Sequence, residues 1–142
     1  MLESINLQSN VAVFAQIENE VRFAIASGAL KAGDKLPTVR AVADMLDINP
    51  NTVAKAYRDL EIMGLVYTRR GMGIFIKEGV EATCQAACYR EIIGKLHEVV
   101  AEAKAAGMKE TDINSIAKKC FASKTSPYAA PPSSILSLSK YR

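Results

Sequence analysis

Apolar positions recur along this chain with two different periods, and the changes of period mark its elements. Phe14, Ile17, Val21 and Ile25 return every three or four residues, which predicts a first helix of about four turns from Val11, stopped by Ser27-Gly28. Gln16, Glu18, Asn19, Glu20 and Arg22 fall on its polar side, and it reads as a scaffold helix. Leu30 and Leu36 mark the two ends of a crossover that turns at Gly33-Asp34. Pro37 disfavours helix at Leu36, Thr38 can cap a short second helix, and Val39, Val42, Ala43 and Leu46 form its inner face. A third helix is delimited by its own sequence. Asn49 can accept from the free N–H groups of the first turn, Pro50 has no N–H to lose there, and Gly64 can close the far end. Val53, Ala56, Tyr57 and Leu60 make its apolar face, while Asn51, Lys55 and Arg58 lie opposite, within about 60° of one another at ~100° per residue. From Leu65 to Arg69 the period shortens to two; Arg70-Gly71-Met72-Gly73 reads as a turn and Ile74 to Lys77 as a second strand.

The period lengthens again at Val80, where a long helix is predicted to about Ala106. Tyr89, Ile92, Leu96, Val99, Ala103 and Ala106 are spaced as the seam of a helix meeting another helix. Gly107 ends it, Thr111 can cap a further short helix, and Ile113, Ile116, Ala117, Cys120 and Phe121 give that helix an apolar stripe. Two such helices can hardly bury both faces alone, so they are expected to pack against the same pair from a second chain. The candidate dimer interface is Tyr89, Ile92, Leu96, Val99, Ala103, Ile113, Ile116 and Phe121. Residues 1–10 carry no period and are expected to form a loose arm or a short lead-in. Residues 122–142, rich in Ser, Pro and Ala, read as a low-complexity, flexible tail.

These elements make the fold class mainly α with a small β-ribbon. A three-residue turn, Asp47-Ile48-Asn49, between two short helices has the spacing of a helix-turn-helix, and a ribbon directly after it is a wing. The chain divides into a winged helix-turn-helix over 1–78, a two-helix dimerisation region over 79–121 and the tail. The third helix would be the DNA recognition helix. Asn can make two hydrogen bonds to an adenine edge in the major groove, and Lys and Arg suit guanine or phosphate. Asn51, near the start of that helix, is placed to reach base edges. Lys55, Arg58 and Arg69 suit phosphates, and Arg70 with its flanking glycines fits a hairpin tip on the narrow groove or the backbone. Arg40 could face DNA or pair with Asp44 one turn on. A winged helix used only for protein interaction is the alternative. An enzyme is disfavoured, because there is one histidine, no phosphate-binding glycine loop after a strand and no acid-base or nucleophile constellation.

The run from Gly28 to Ile76 resembles the DNA-binding domain of the GntR family of bacterial transcription regulators. It carries the lead GALKAGDKLPTVR, the recognition helix NPNTVAKAY and the wing GMGIF, and the short region after the wing is similar to that of the YtrA-type subgroup. The resemblance implies a cytoplasmic repressor that binds a palindromic operator on double-stranded DNA as a homodimer, with no cofactor. It places DNA contacts at Arg40, Asn49, Asn51 and Thr52, with Lys55, Arg70, Gly71 and Gly73 at matching positions and Lys35 and Thr38 as phosphate contacts. Pro50 and Asn51 stand where many relatives have Arg or Thr, so the base sequence of the operator does not transfer. A dimer would present its two recognition helices to half-sites about 34 Å apart, or more widely if the linkers splay.

Charge and cysteines add little to this picture. Of the net +3, residues 1–78 contribute nothing, since their nine basic side chains meet nine acidic ones; a DNA reading rests on where the cations sit. No run of 18 apolar residues and no charged-then-apolar leader is present, so neither a membrane partner nor secretion is expected. Cys84, Cys88 and Cys120 are an odd number and read as reduced thiols. Cys84 and Cys88, one turn apart, are taken as packing residues rather than a metal site, and His97 as a rim residue. A small-molecule effector could sit between the dimer helices.

Overall fold

The computed structural model describes residues 1–124 and 126–129. Five helices and one ribbon follow in order: α1 (Val13–Ala26), α2 (Val39–Leu46), α3 (Pro50–Ile62), β1 (Val66–Arg69), β2 (Gly73–Ile76), α4 (Glu81–Ala105) and α5 (Glu110–Ala122). The mainly helical fold with a two-stranded ribbon is therefore the one the periodicities predict.

α1 packs on α3 and α4, α2 packs on α3, and α3 meets β1. The core lies where helical spacing predicts it. Ile17, Val21 and Ile25 of α1, Val42 and Ala43 of α2, and Val53, Ala56, Tyr57 and Leu60 of α3 are all buried, with Val66 and Ile76 closing the side toward the wing. Cys84 and Cys88 extend this core to the first turns of α4. Arg22 Nη2 on α1 adds an ion pair, 2.6 Å from Glu91 Oε1 on α4. No helix among the described residues is long and apolar enough to cross a membrane.

Several local details differ from expectation. α5 starts one residue before Thr111, with Lys109 at its N-cap; the Asp112 carboxylate accepts from the Lys109 N–H at 3.4 Å. Gln16 lies in the core rather than on the polar side of α1, and is fully buried. Its Oε1 accepts from the Asn6 N–H at 2.8 Å, and its Nε2 donates to the carbonyls of Asn6 (2.9 Å) and Val11 (2.8 Å). Those three bonds satisfy the amide completely enough for burial, and they tie down the segment expected to be a loose arm. Leu2, from the same arm, is only 6% exposed.

The tail expected from residue 122 falls mostly on residues 130–142, outside the described residues. Residues 126–129 are described and pack on the arm. Ser126 Oγ donates to the Ser4 carbonyl (2.6 Å), Asn6 Nδ2 donates to the Tyr128 carbonyl (3.1 Å), and the Tyr128 ring is buried. The chain thus returns from α5 to α1.

Candidate nucleic-acid interface

The helix-turn-helix is held by backbone chemistry that the sequence supplies locally. Thr38 Oγ1 accepts from the Ala41 N–H at 3.1 Å to start α2. Asp47 ends it in the left-handed region (φ 52°), a conformation that Asp tolerates better than most side chains, and Ile48 N–H returns to the Ala43 carbonyl at 3.0 Å. Asn49 then caps α3, its Oδ1 accepting from the Asn51 N–H at 2.8 Å, with Pro50 at the first helical position. Because the buried stripe of α3 faces α1 and α2, the opposite edge carrying Asn51, Lys55 and Arg58 is exposed.

The wing is an antiparallel pair with Val66 opposite Ile76, Tyr67 opposite Phe75, Thr68 opposite Ile74 and Arg69 opposite Gly73. Gly71 and Gly73 take φ of 75° and 121°, which turns the chain back over three residues. A contact not visible in the sequence adds a third element to it. The crossover pairs with β2: Gly33 N–H donates to the Ile76 carbonyl, Ile76 N–H to Asp34, and Leu36 N–H to Ile74, each at 2.9 Å. Lys35 is thereby set opposite Phe75 at the edge of the wing, with its Cε 2.6 Å from where a Cβ on Gly73 would lie. On the ribbon, the Tyr67 and Phe75 rings stack with centroids 5.9 Å apart, and the Arg69 guanidinium lies 5.8 Å from the Phe75 centroid. Glu61 Oε1, near the end of α3, accepts from the Thr68 N–H at 3.1 Å and fixes the wing to the helix.

Most of the residues singled out in the sequence are exposed here. Lys35, Thr38, Arg40, Asn49, Asn51, Lys55, Arg58, Arg69, Arg70 and Gly71 are exposed, and Thr52 and Gly73 partly so. Among the described residues Arg40, Arg58 and Arg70 make no ion pair, and the Arg40–Asp44 pair allowed by spacing is not formed. Such cations retain their full charge for an external anion. Lys55 differs. Its Nζ is 2.6 Å from Asp59 Oδ2 and 4.2 Å from the Phe14 ring centroid. Sequence reasoning missed Phe14 and Asp59 as neighbours of the reading face, although the Lys55–Asp59 spacing of four residues signals the pair.

The C-terminal helices carry no such charge pattern. Tyr89, Ile92, Leu96 and Val99 on α4 are about half exposed or more, and Phe121 on α5 is 94% exposed. Leu96, Val99, Ala103, Ile113, Ile116 and Phe121 line an open apolar groove between α4 and α5. Cys84 and Cys88 point instead into the α1–α4 contact, where the Cys84 thiol donates to the Arg22 carbonyl at 3.4 Å. Burial, followed by the neighbouring Cys88, pushes the Cys84 thiol up to about 11. His97 is exposed.

Comparison with known proteins agrees with this geometry. The profile of the family described as bacterial regulatory proteins, gntR family, matches residues 14–76, from the start of α1 to the end of the wing. The HTH-type transcriptional repressor YtrA of Bacillus subtilis is 35% identical over 105 residues, covering 74% of this chain and 81% of that protein. Among solved structures, a transcriptional regulator from Oenococcus oeni superposes with a TM-score of 0.62 at 31% identity, covering 84% of this chain and 98% of that one. A GntR family transcriptional regulator from Listeria monocytogenes gives a TM-score of 0.62 at 31% identity over 78% of this chain and 96% of its own.

Proposed function

This chain belongs to the gntR family of bacterial regulatory proteins and is a DNA-binding transcriptional regulator; from that premise we propose that it is a cytoplasmic repressor acting as a homodimer on a palindromic operator. The observation that carries the DNA contacts is the exposed edge of α3, with Asn51, Lys55 and Arg58 on one side of a helix whose other side is wholly buried. α3 enters the major groove, where Asn51 reads base edges and Thr52 lies beside it at the mouth of the helix. Thr38 and Asn49, at the N-caps of α2 and α3, and Arg40, in the first turn of α2, flank it. Lys35, Arg69, Arg70, Gly71 and Gly73 bring the wing to the adjacent backbone, with Lys55 and Arg58 on phosphates.

The homodimer is supported by the apolar seam. Leu96, Val99, Ala103, Ile113, Ile116 and Phe121 line an apolar groove that one chain leaves open, Tyr89 and Ile92 are exposed nearer the start of α4, and a second α4–α5 pair matches this surface in character. The repressor role follows the printed name of the Bacillus subtilis relative. An effector would act in the same groove, between the paired helices.

Fluorescence anisotropy with a labelled duplex from the region upstream of the gene tests this reading. Asn51→Ala and Arg40→Ala are expected to weaken specific binding by about 1 to 3 kcal/mol each, while leaving binding to unrelated DNA less affected. Specific affinity unchanged in both variants would overturn the assigned contacts.

A further inference from the structure

The outer face of the wing is built around Phe75. Tyr67 stands directly opposite it on β1, and the two rings stack with centroids 5.9 Å apart and planes 30° from parallel. On the other edge of β2 the crossover bridges Lys35 to Phe75, held by the Ile76 N–H donating to the Asp34 carbonyl and the Leu36 N–H donating to the Ile74 carbonyl, both at 2.9 Å. Residues paired across antiparallel strands share a face, so Phe75 is the middle of a row that runs from Tyr67 to Lys35. Arg69, further along β1, reaches diagonally to the same ring, with its guanidinium carbon 5.8 Å from the centroid.

Both cations keep their charge uncompensated. Among the described residues neither Lys35 nor Arg69 makes an ion pair, and both are exposed. Lys55 is the contrast, its ammonium held by Asp59 at 2.6 Å. A carboxylate orders a cation by neutralising it, whereas an aromatic face orders a guanidinium through the ring quadrupole and leaves the charge for an external anion. Lys35 is directed to the same end of the ribbon. Its stem crosses Gly73 where a side chain would stand, with Cε 2.6 Å from the position of a Cβ, and Gly73 is the residue paired with Arg69.

Resting on the reading of the wing as a DNA-facing element, we propose that Phe75 is a positioning residue for DNA binding, whose ring holds the Arg69 guanidinium ready for a phosphate. Phe75 acts through Arg69, since its own ring is only partly exposed beside Tyr67 and the crossover. A free arginine has several rotatable bonds to fix when it meets an anion. Stacking fixes part of them in the unbound protein, so less entropy is lost when the complex forms. The effect differs in kind from a lost contact. Removing the ring leaves the charge of Arg69 in place, so the number of phosphates neutralised, and with it the salt slope, is kept while the affinity falls.

The test is anisotropy of the full chain on the upstream duplex, titrated with salt. Phe75→Leu is expected to bind about two- to tenfold more weakly at every salt concentration, the cost of ordering one long side chain, with the slope of log K unchanged. Phe75→Tyr keeps the ring and is expected to bind as the wild type does. In an Arg69→Ala background, Phe75→Leu is expected to add no further loss. An equal loss with and without Arg69 makes Phe75 a structural residue only and overturns the proposal. Nitrogen-15 relaxation at Arg69 Nε in the free wild-type protein gives a reading that depends on no variant's folding. Arg69 is expected to be more ordered than Arg70, which among the described residues lies over no ring; equal mobility of the two overturns the proposal. Wild-type affinity and slope in Arg69→Ala would overturn the reading of the wing and this proposal with it, whereas weakened binding in Arg69→Ala beside an unaffected Phe75→Leu would overturn the proposal alone.

Discussion

The Tyr57 hydroxyl donates a 2.8 Å hydrogen bond to the Pro37 carbonyl, joining the middle of α3 to the residue that precedes the cap of α2. The ring is buried in the core while its polar end reaches the junction between the two helices, so one side chain sets both the depth of α3 and the entry of α2. Tyr57→Phe keeps the ring and loses the bond. It is expected to cost about 1 kcal/mol, read as a lower urea midpoint with an unchanged slope. A variant as stable as the wild type would show that the Pro37 carbonyl is equally well served by water.

The same hydroxyl makes stability depend on pH at the alkaline end. Burial pushes it from 10.0 up to about 12. Between those values the folded chain keeps the Tyr57 proton while the unfolded chain loses it, so unfolding releases a proton and stability falls as pH rises. The contribution is complete below about pH 10 and gone above about pH 12. Thermal melts over that window should therefore decline less in Tyr57→Phe than in the wild type.

What could be read from the sequence depended on the range of each interaction. The caps at Thr38 and Asn49, the Pro50 start and the buried set Val53, Ala56, Tyr57 and Leu60 depend on neighbours within a turn or two, and the structure has them as the pattern implied. Gln16 departs from its expected place because its partners are backbone groups of the preceding arm, for which a polar residue between apolar ones gives no sign. The third edge of the wing is hidden for the same reason. Lys35 and Phe75 are forty residues apart in sequence, and no local period announces an isolated bridge. Helical spacing is enough to put Lys55 on the reading face. Its tether is half legible, through Asp59 at four residues' distance, and half hidden, through Phe14 on another helix.

The approach of Lys35 to the wing makes Gly73 sensitive for two reasons. Its φ of 121° is a conformation that side chains rarely adopt, and an added Cβ would lie 2.6 Å from Lys35 Cε. The flexible lysine can yield, but the backbone cannot. Gly73→Ala is expected to cost about 1 to 3 kcal/mol of stability and to weaken DNA binding. Lys35→Ala is expected to leave stability nearly unchanged and to reduce the salt slope of log K by about 0.9, as for one phosphate contact. Equal salt slopes in Lys35→Ala and wild type would remove Lys35 from the interface.

Tyr128 connects the end of the described chain to its beginning. Its ring is buried, its hydroxyl donates to the Gln16 carbonyl at 3.4 Å, and its own carbonyl accepts from Asn6. Tyr128→Ala removes most of that burial and should destabilise the protein by about 2 kcal/mol. The loss should be local, appearing in hydrogen exchange as faster exchange of the amides of Asn6 and Ser9, while the α3 core amides respond less. Uniform acceleration across the chain would instead make the clasp part of the global fold.

The exposed seam on α4 and α5 gives the most direct handle on assembly. Leu96 is 58% exposed, Val99 is 59% exposed, and both line the groove that faces Ile113, Ile116 and Phe121. None of these side chains is buried within one chain, so a charge at Leu96 costs the monomer little. In a dimer the same charge would be desolvated twice, once from each copy, with no opposite partner in the apolar groove. Leu96→Glu is therefore expected to keep the wild-type helix content and to sediment as a monomer at concentrations where the wild type is dimeric. Its affinity for the two-site duplex should fall to that of a single half-site, since the second recognition helix no longer arrives with the first. A variant that remains dimeric would move the interface off this seam, and one that is monomeric yet binds the operator as tightly as wild type would show that one α3 and one wing suffice.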